Sequence, residues 1–305
     1  MTDAAHLRRQ QALVAAMPPV FVLIWSTGFI VARYGMPHAP ALALLSWRYG
    51  LSVLAFLVWI GLTRPAWPQG RAQWAHLAVT GVLMHAIYLG GVWSSVRAGA
   101  SAGTVALIAG LQPVLTAVWV SATGQEKRVT PLQWAGLALG LTGLLLVVWR
   151  KLGQGELGAL NLLLAVGALL GITAGTLYQK RHVAPCDVRT ANFVQLLAAF
   201  AVTLPASWLI DTQPVHWHPE LIGALAWSVL VLTLGGSSLL YLLIQQGAAT
   251  RVTSLLYLVP PCTAVMGWLL FREALGPLVL AGLALTAVGV ALVVRVPRDA
   301  SSTLA

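Results

Sequence analysis

His85 and Tyr88 lie one helical turn apart in the apolar run from Trp74 to Arg97, with Gly81 one turn back on the same face. An imidazole and a phenol at the middle of such a run face a wet cavity or the protein interior rather than hydrocarbon. Other groups able to hold a small molecule recur at similar depth. Trp25, Gly28 and Ala32 follow i, i+3, i+7, as do Ser238, Tyr241 and Gln245; Gln112 precedes Pro113, Tyr178 shares a face with Gly171 and Gly175, and Tyr257 lies below Pro261. Aromatic walls with a few placed polar groups are the usual composition of a small-molecule site. The expected substrate cavity is therefore His85, Tyr88, Tyr241 and Tyr257, backed by Trp25, Gln112, Tyr178 and Gln245. A packing role competes at each position, since glycine faces also serve close helix contact.

Pro113, Pro260 and Pro261 fall inside apolar runs. Each removes the bond to the carbonyl four residues earlier, at Ala109, Leu256 and Tyr257, and so marks a hinge beside the cavity.

What is missing narrows the chemistry further. The acidic residues Asp3, Glu126, Glu156, Asp187, Asp211, Glu220, Glu273 and Asp299 all fall in tails, loops or helix ends. A cationic drug or a bound proton would want a carboxylate inside the membrane. No paired acid or H-E-x-x-H spacing supports catalysis, so no enzyme and no cofactor is expected. His216 and His218 lack companion ligands, so no metal site is expected either. Cys186 and Cys262 read as small apolar residues rather than a disulfide. Arg48 is the one intramembrane cation apart from a charged His85; snorkelling to the interface is its default reading, with a substrate role as the alternative. A heavily anionic cargo, such as a nucleotide sugar or sugar phosphate, would need several cations at that depth. A neutral or zwitterionic molecule remains, and His85 is the titrating group through which proton coupling would run.

The elements that position these residues follow from composition. Only 9% of the 305 residues are charged and 58% are hydrophobic, where a soluble domain carries roughly 25% charge. Apolar runs long enough for a bilayer, about 20 residues, fall at 16–34, 41–62, 74–97, 102–122, 130–149, 157–180, 188–210, 219–246, 252–271 and 276–296. The fold class is thus all-α integral membrane, with ten transmembrane helices. The net charge of +10 is a topology signal rather than a nucleic-acid signal. Twelve Lys and Arg fall in the segments that are inner if the N-terminus is inside, against five in the outer ones, so the N- and C-termini are predicted to be cytoplasmic. Arg8 and Arg9 before the first run resemble a signal peptide, but the repeat places that run in the mature fold.

The repeat is visible by eye. Gly99, Ala100, Leu107 and Pro113 return as Gly247, Ala248, Leu255 and Pro261, while Pro131, Gly136 and Gly143 return as Pro277, Gly282 and Gly289. The chain divides into a cytoplasmic tail 1–15, a first five-helix repeat 16–150, a second 157–296 and a cytoplasmic tail 297–305. A unit with an odd number of crossings ends on the opposite side, so its second copy is inverted, which is the plan of secondary transporters. Gly136, Gly140, Gly143, Gly282 and Gly289 suit tight helix seams and are compatible with either a monomer or a homodimer. The segment from Asp211 to Glu220, with Trp217, reads as an outer interfacial stretch.

Trp25 to Arg33, the Trp47 and Arg48 pair, and the order Pro113, Glu126, Gly136 to Gly143, echoed by Pro261, Glu273, Gly282 to Gly289, resemble the drug/metabolite transporter superfamily, specifically its EamA-type ten-helix transporters. The resemblance implies a central cavity lined by helices one, three, four, six, eight and nine, with helices five and ten packing at the end of each half. It also implies export of small metabolites, often amino acids, across a bacterial-type inner membrane. Drug efflux, a membrane-embedded enzyme and a receptor are the alternatives.

Overall fold

The computed structural model describes residues 2–124, 130–153, 158–246, 255–272 and 275–294. Every regular element among them is helical. In chain order these are α1 (Thr2–Gly35), α2 (Ala41–Thr63), α3 (Arg71–Arg97), α4 (Ala102–Thr123), α5 (Pro131–Gly153), α6 (Ala159–His182), α7 (Val188–Ile210), α8 (Pro219–Gln245), α9 (Val259–Phe271) and α10 (Pro277–Val294). Seven helices are long and apolar enough to cross a membrane: α2, α3, α4, α6, α7, α8 and the Ala16–Gly35 part of α1. The apolar helical stretches Val259–Phe271 and Leu280–Gly289 are shorter. The motif residues Glu126, Glu273, Gly247 and Ala248 lie outside the described residues.

The outside of the bundle is as apolar as the inside. Leu209 is 86% exposed, Trp208 76% and Leu163 71%, an apolar exterior suited to a lipid bilayer. Two apolar grooves lie on this surface, one of about 810 Å³ between α2 and α7 and one of about 560 Å³ among α3, α4 and α6. Inside, some hydroxyls are satisfied by their own helix, as where Ser26 donates to the carbonyl of Val22 at 2.7 Å and Thr173 to that of Leu169 at 2.7 Å, while those of Ser52, Thr116, Thr203, Ser228 and Ser238 have no partner among the described residues.

Glycines set the helix contacts. A Cβ on Gly81 would lie 2.1 Å from the Gln195 carbonyl oxygen, so the α3 backbone rests directly on α7. Gly143 meets Gly282, and Gly289 meets Gly136, with their would-be Cβ atoms 2.5 Å from the facing carbonyl in both cases. The seam expected from these glycines therefore lies within the chain, between α5 and α10. The other extensive neighbours are α2 with α7, α3 with α6 and α7, α1 with α8 and α9, and α4 with α6 and α9.

Loops tie the two ends. At the predicted outer end, Asp211 accepts the Ala43 N–H at 2.7 Å and thereby caps α2, Arg97 donates to the carbonyl of Met36 and to Gln213, and His38 meets Glu220 at 3.0 Å. At the other end, Gln73 donates to the carbonyl of Ala184 at 2.8 Å and Thr190 to that of Ala66 at 3.1 Å.

Candidate functional site

The helices that reach the centre are not regular there. In α3, residues Val82–Ile87 form a π-helical turn that contains His85, and in α8 residues Ser228–Ser237 do the same. A wider turn leaves carbonyls to be satisfied from elsewhere, and such turns gather at functional sites. The Tyr49 hydroxyl donates to the carbonyl of His85 at 2.9 Å, and Thr233 donates to that of Ser228, five residues back, at 2.8 Å. The prolines coincide with breaks in helix regularity. α4 consists of Ala102–Ala109 and Gln112–Thr123, with Pro113 in the first turn of the second piece; α9 begins at Val259, with Pro260 in its first turn, after a 3₁₀ turn at Leu256–Leu258. Pro261 follows in the same turn.

Three small cavities meet at this centre. One of about 20 Å³ is walled by Trp25, Phe29, Arg48, Tyr88, Trp93 and Leu232. A second, of about 10 Å³, is walled by Trp25, His85, Gln179, Gln195, Ser237 and Tyr241, and a third of the same size by Trp25, Tyr88, Gln112, Gly110, Leu256 and Val259. Trp25 belongs to all three. Its indole lies parallel to the Tyr88 ring, at 3° and 6.2 Å between centroids. A small-molecule pocket holds about 300–1,000 Å³, so the centre is contracted, with room for single waters.

Five of the predicted cavity residues are brought together: Trp25, His85, Tyr88, Gln112 and Tyr241. His85 is 4% exposed and its Nδ1 has no hydrogen-bond partner; Gln112 donates to Thr176 Oγ1 at 3.0 Å while its Oε1 is left without a partner. The Tyr241 hydroxyl lies 3.0 Å from Cys186 Sγ, so Cys186, read from sequence as a plain apolar residue, is a polar contact.

Tyr178 is placed elsewhere. Its hydroxyl meets His76 Nδ1 at 2.8 Å beside His182, on the lipid-facing groove. The glycine face that carries it is a packing seam: a Cβ on Gly171 would lie 2.8 Å from Ile87, and one on Gly175 2.4 Å from Met84. The neighbouring face of α6, with Thr176 and Gln179, is the one turned to the centre. Gln245 is half-buried and is not among the residues walling these cavities. The side chain of Tyr257 lies outside the described residues.

Arg48, for which snorkelling was the default reading and a substrate role the alternative, lines the centre, as do Gln179 and Gln195, which were not among the expected cavity residues. Arg48 does not snorkel: it is 3% exposed, donates from Nε to Thr233 Oγ1 at 3.1 Å and sits 5.5 Å over the Trp93 ring. Gln179 and Gln195 face one another at 3.4 Å, and Gln179 Nε2 has no partner. The signal was present, because each is a polar side chain of high burial cost in an apolar run. α2 and α7 thus join the six helices expected at the cavity.

His218 also has companions the sequence concealed. His38, His218 and Glu220 bring possible metal-ligand atoms within 4.8 Å of one another, across the junction of loop 36–40 with the start of α8. The His38 and His218 rings stack at 4.5 Å, and Glu220 pairs with His38, so the cluster joins loop 36–40 to the start of α8.

Comparison with known proteins agrees with this architecture. A solved crystal structure matches with a TM-score of 0.72 at 18% identity, covering 91% of this chain and 96% of its own, and shows the same fold. An Escherichia coli (strain K12) protein named as the uncharacterized inner membrane transporter YedA is 26% identical over 83% of this chain and 81% of its own length. Another from the same organism, named a probable amino-acid metabolite efflux pump, is 23% identical over 88% of this chain and 90% of its own. The model of the EamA-like transporter family matches residues 17–149 and again 159–295. With both stretches matched, the chain belongs to the EamA-like transporter family and is a membrane transporter.

Proposed function

We propose that this transporter exports a small neutral or zwitterionic metabolite, an amino acid or a related compound, across the inner membrane by alternating access. The observation that carries the reading is the stacked Trp25 and Tyr88 pair at the junction of three contracted cavities, with unpartnered polar atoms of His85, Gln112 and Gln179 around it. Buried polar atoms without partners are costly, and a solute entering between the rings would supply them. Opening toward either side requires the loop contacts at one end to part while those at the other hold.

The architecture behind this reading is ten transmembrane helices in two inverted repeats, 16–150 and 157–296, with both termini cytoplasmic. The packing supports it: exchanging the halves maps α3 against α6 onto α8 against α1, and α1 against α9 onto α6 against α4. The π turns in α3 and α8, and the proline breaks in α4 and α9, occupy matching places. The name of the amino-acid metabolite relative supports the substrate class. If transport is coupled to protons, His85 is the group we assign to it, and His85→Gln is then expected to slow transport driven by a pH gradient; an unchanged rate removes His85 from that role.

The test is uptake of labelled amino acids into inverted membrane vesicles, with Tyr88→Ala as the inactive control. Saturable uptake lost in the control supports the reading. Absence of flux across amino acids and a broad metabolite panel would sink it.

A further inference from the structure

We propose that Arg48 is the anchor for a single carboxylate on the transported solute, an inference that rests on the transport reading for the identity of the cavity and gives the arginine a specific ligand group. The guanidinium is 3% exposed and walls the largest of the three central cavities. Its Nε–H is directed to Thr233 Oγ1 at 3.1 Å, and the Thr233 proton is itself used on the Ser228 carbonyl at 2.8 Å, so the threonine acts toward arginine as an acceptor. Trp93 covers the cation at 5.5 Å. These contacts fix the orientation of the group without neutralising it. The Nη donors have no hydrogen-bond partner among the described residues, and the described acids Asp187, Asp211 and Glu220 pair at the ends of the bundle instead.

An arginine side chain keeps its charge in a protein. A buried charge without a counterion is expensive, the more so at membrane depth. Its remaining planar fork matches a carboxylate in bidentate geometry. One guanidinium balances one negative charge, which favours a monocarboxylate over a phosphate-rich solute. The rest of the wall is apolar and largely aromatic, with Trp25, Phe29, Tyr88 and Trp93 beside Leu89, Val92 and Leu232, suited to an apolar or aromatic body.

The experiment uses purified full-length protein in lipid nanodiscs and matched pairs of probes, L-phenylalanine with L-phenylalaninamide and phenylacetate with phenylacetamide. Binding is read by tryptophan quenching and by thermal stabilisation. In the wild type each acid is expected to bind at least about tenfold more tightly than its amide, a difference of about 1.4 kcal/mol. Arg48→Gln should bring the acid down to the amide while leaving the amide unchanged. Arg48→Lys keeps the charge and guards against a folding defect; it should retain the preference at reduced affinity, because the ammonium lacks the fork. Thr233→Val should weaken the acid several-fold and spare the amide. Equal binding of acid and amide, a preference that survives Arg48→Gln, or no binding by any probe overturns the assignment. Carboxylate binding without flux in vesicles keeps Arg48 as the anchor and overturns the transport reading, while flux of an uncharged solute without carboxylate preference does the reverse.

Discussion

Gly110 and Pro260 meet where the breaks in α4 and α9 face each other: a Cβ on Gly110 would lie 3.1 Å from Pro260 Cγ and 3.0 Å from the Leu107 carbonyl oxygen. The two breaks are in direct contact, so a larger side chain at one must displace the other. Gly110→Ala is expected to crowd this contact, slowing vesicle transport about three- to tenfold with half-saturation changed less than twofold, at about 1 kcal/mol of stability. Pro113→Ala returns an N–H for the Ala109 carbonyl, and Pro261→Ala returns one for Tyr257 although Pro260 remains in that turn; both should likewise lower rate more than affinity. Unchanged rates with altered affinity would place these residues in the binding wall instead.

The parallel rings of Trp25 and Tyr88 give the second prediction. Tyr88→Phe keeps the stacked face and should transport within about twofold of wild type, since the contact is between ring faces. Tyr88→Ala opens the partition between cavities and should lower transport by more than about tenfold, much of the cost coming from the lost aromatic wall. If the two variants are equally impaired, the hydroxyl rather than the ring is what the site uses.

How far the sequence predicts the site depends on what lies on the other side of each helix. The apolar run, the prolines at 113, 260 and 261 and the repeat were legible because they are properties of one segment or of two segments compared. Facing was not. In a bilayer the lipid side of a helix is as apolar as its protein side, so Gly171, Gly175 and Tyr178 looked like a cavity face when they are a seam against α3 and a groove toward lipid. Arg48 was read as snorkelling because its partners, Thr233 and Trp93, come from distant segments. The cluster of His38, His218 and Glu220 was hidden for the same reason.

Two carboxylates at opposite ends give stability a pH dependence of opposite sign. Asp187 caps α7 by accepting the Arg189 N–H at 2.9 Å. The hydrogen bond from the Arg189 guanidinium, with help from backbone bonds, holds the Asp187 carboxyl below its ordinary value despite partial burial. Its contribution is therefore complete above the ordinary carboxylate pKa and is lost as pH falls below it. Partial burial pushes Asp211 the other way, above its ordinary value, against the opposing effects of the Ala43 N–H bond and the Arg97 charge. That group loses stability as pH rises from the ordinary carboxylate range through its raised value. Thermal unfolding from pH 3 to 7 should show Asp187→Asn removing part of the acid-side loss and Asp211→Asn removing part of the fall on the way to neutrality. Asp187→Ala should cost about 1 kcal/mol at pH 7 through the lost cap. Identical pH profiles for wild type and both Asn variants would refute the assignment.

The seam between α5 and α10 supplies the last prediction. Gly143 and Gly289 each bring backbone against backbone, and Thr286, fully buried between them, donates to the Gly282 carbonyl at 2.8 Å rather than across the contact. With lipid as the competing solvent there is little hydrophobic gain from pairing these helices, so close packing of small residues holds them. A leucine at either glycine must push the helices apart. Gly289→Leu is expected to lower the melting temperature of the detergent-solubilised protein by several degrees, a loss of about 1–3 kcal/mol, and Gly143→Leu should do the same. Because the two residues serve one seam, the double variant should cost less than the sum of the singles. If instead the single variants keep their melting temperature and only change the fraction of dimer on size-exclusion chromatography, the glycines belong to a contact between copies, and the packing of α5 on α10 would have to tolerate separation that this geometry denies.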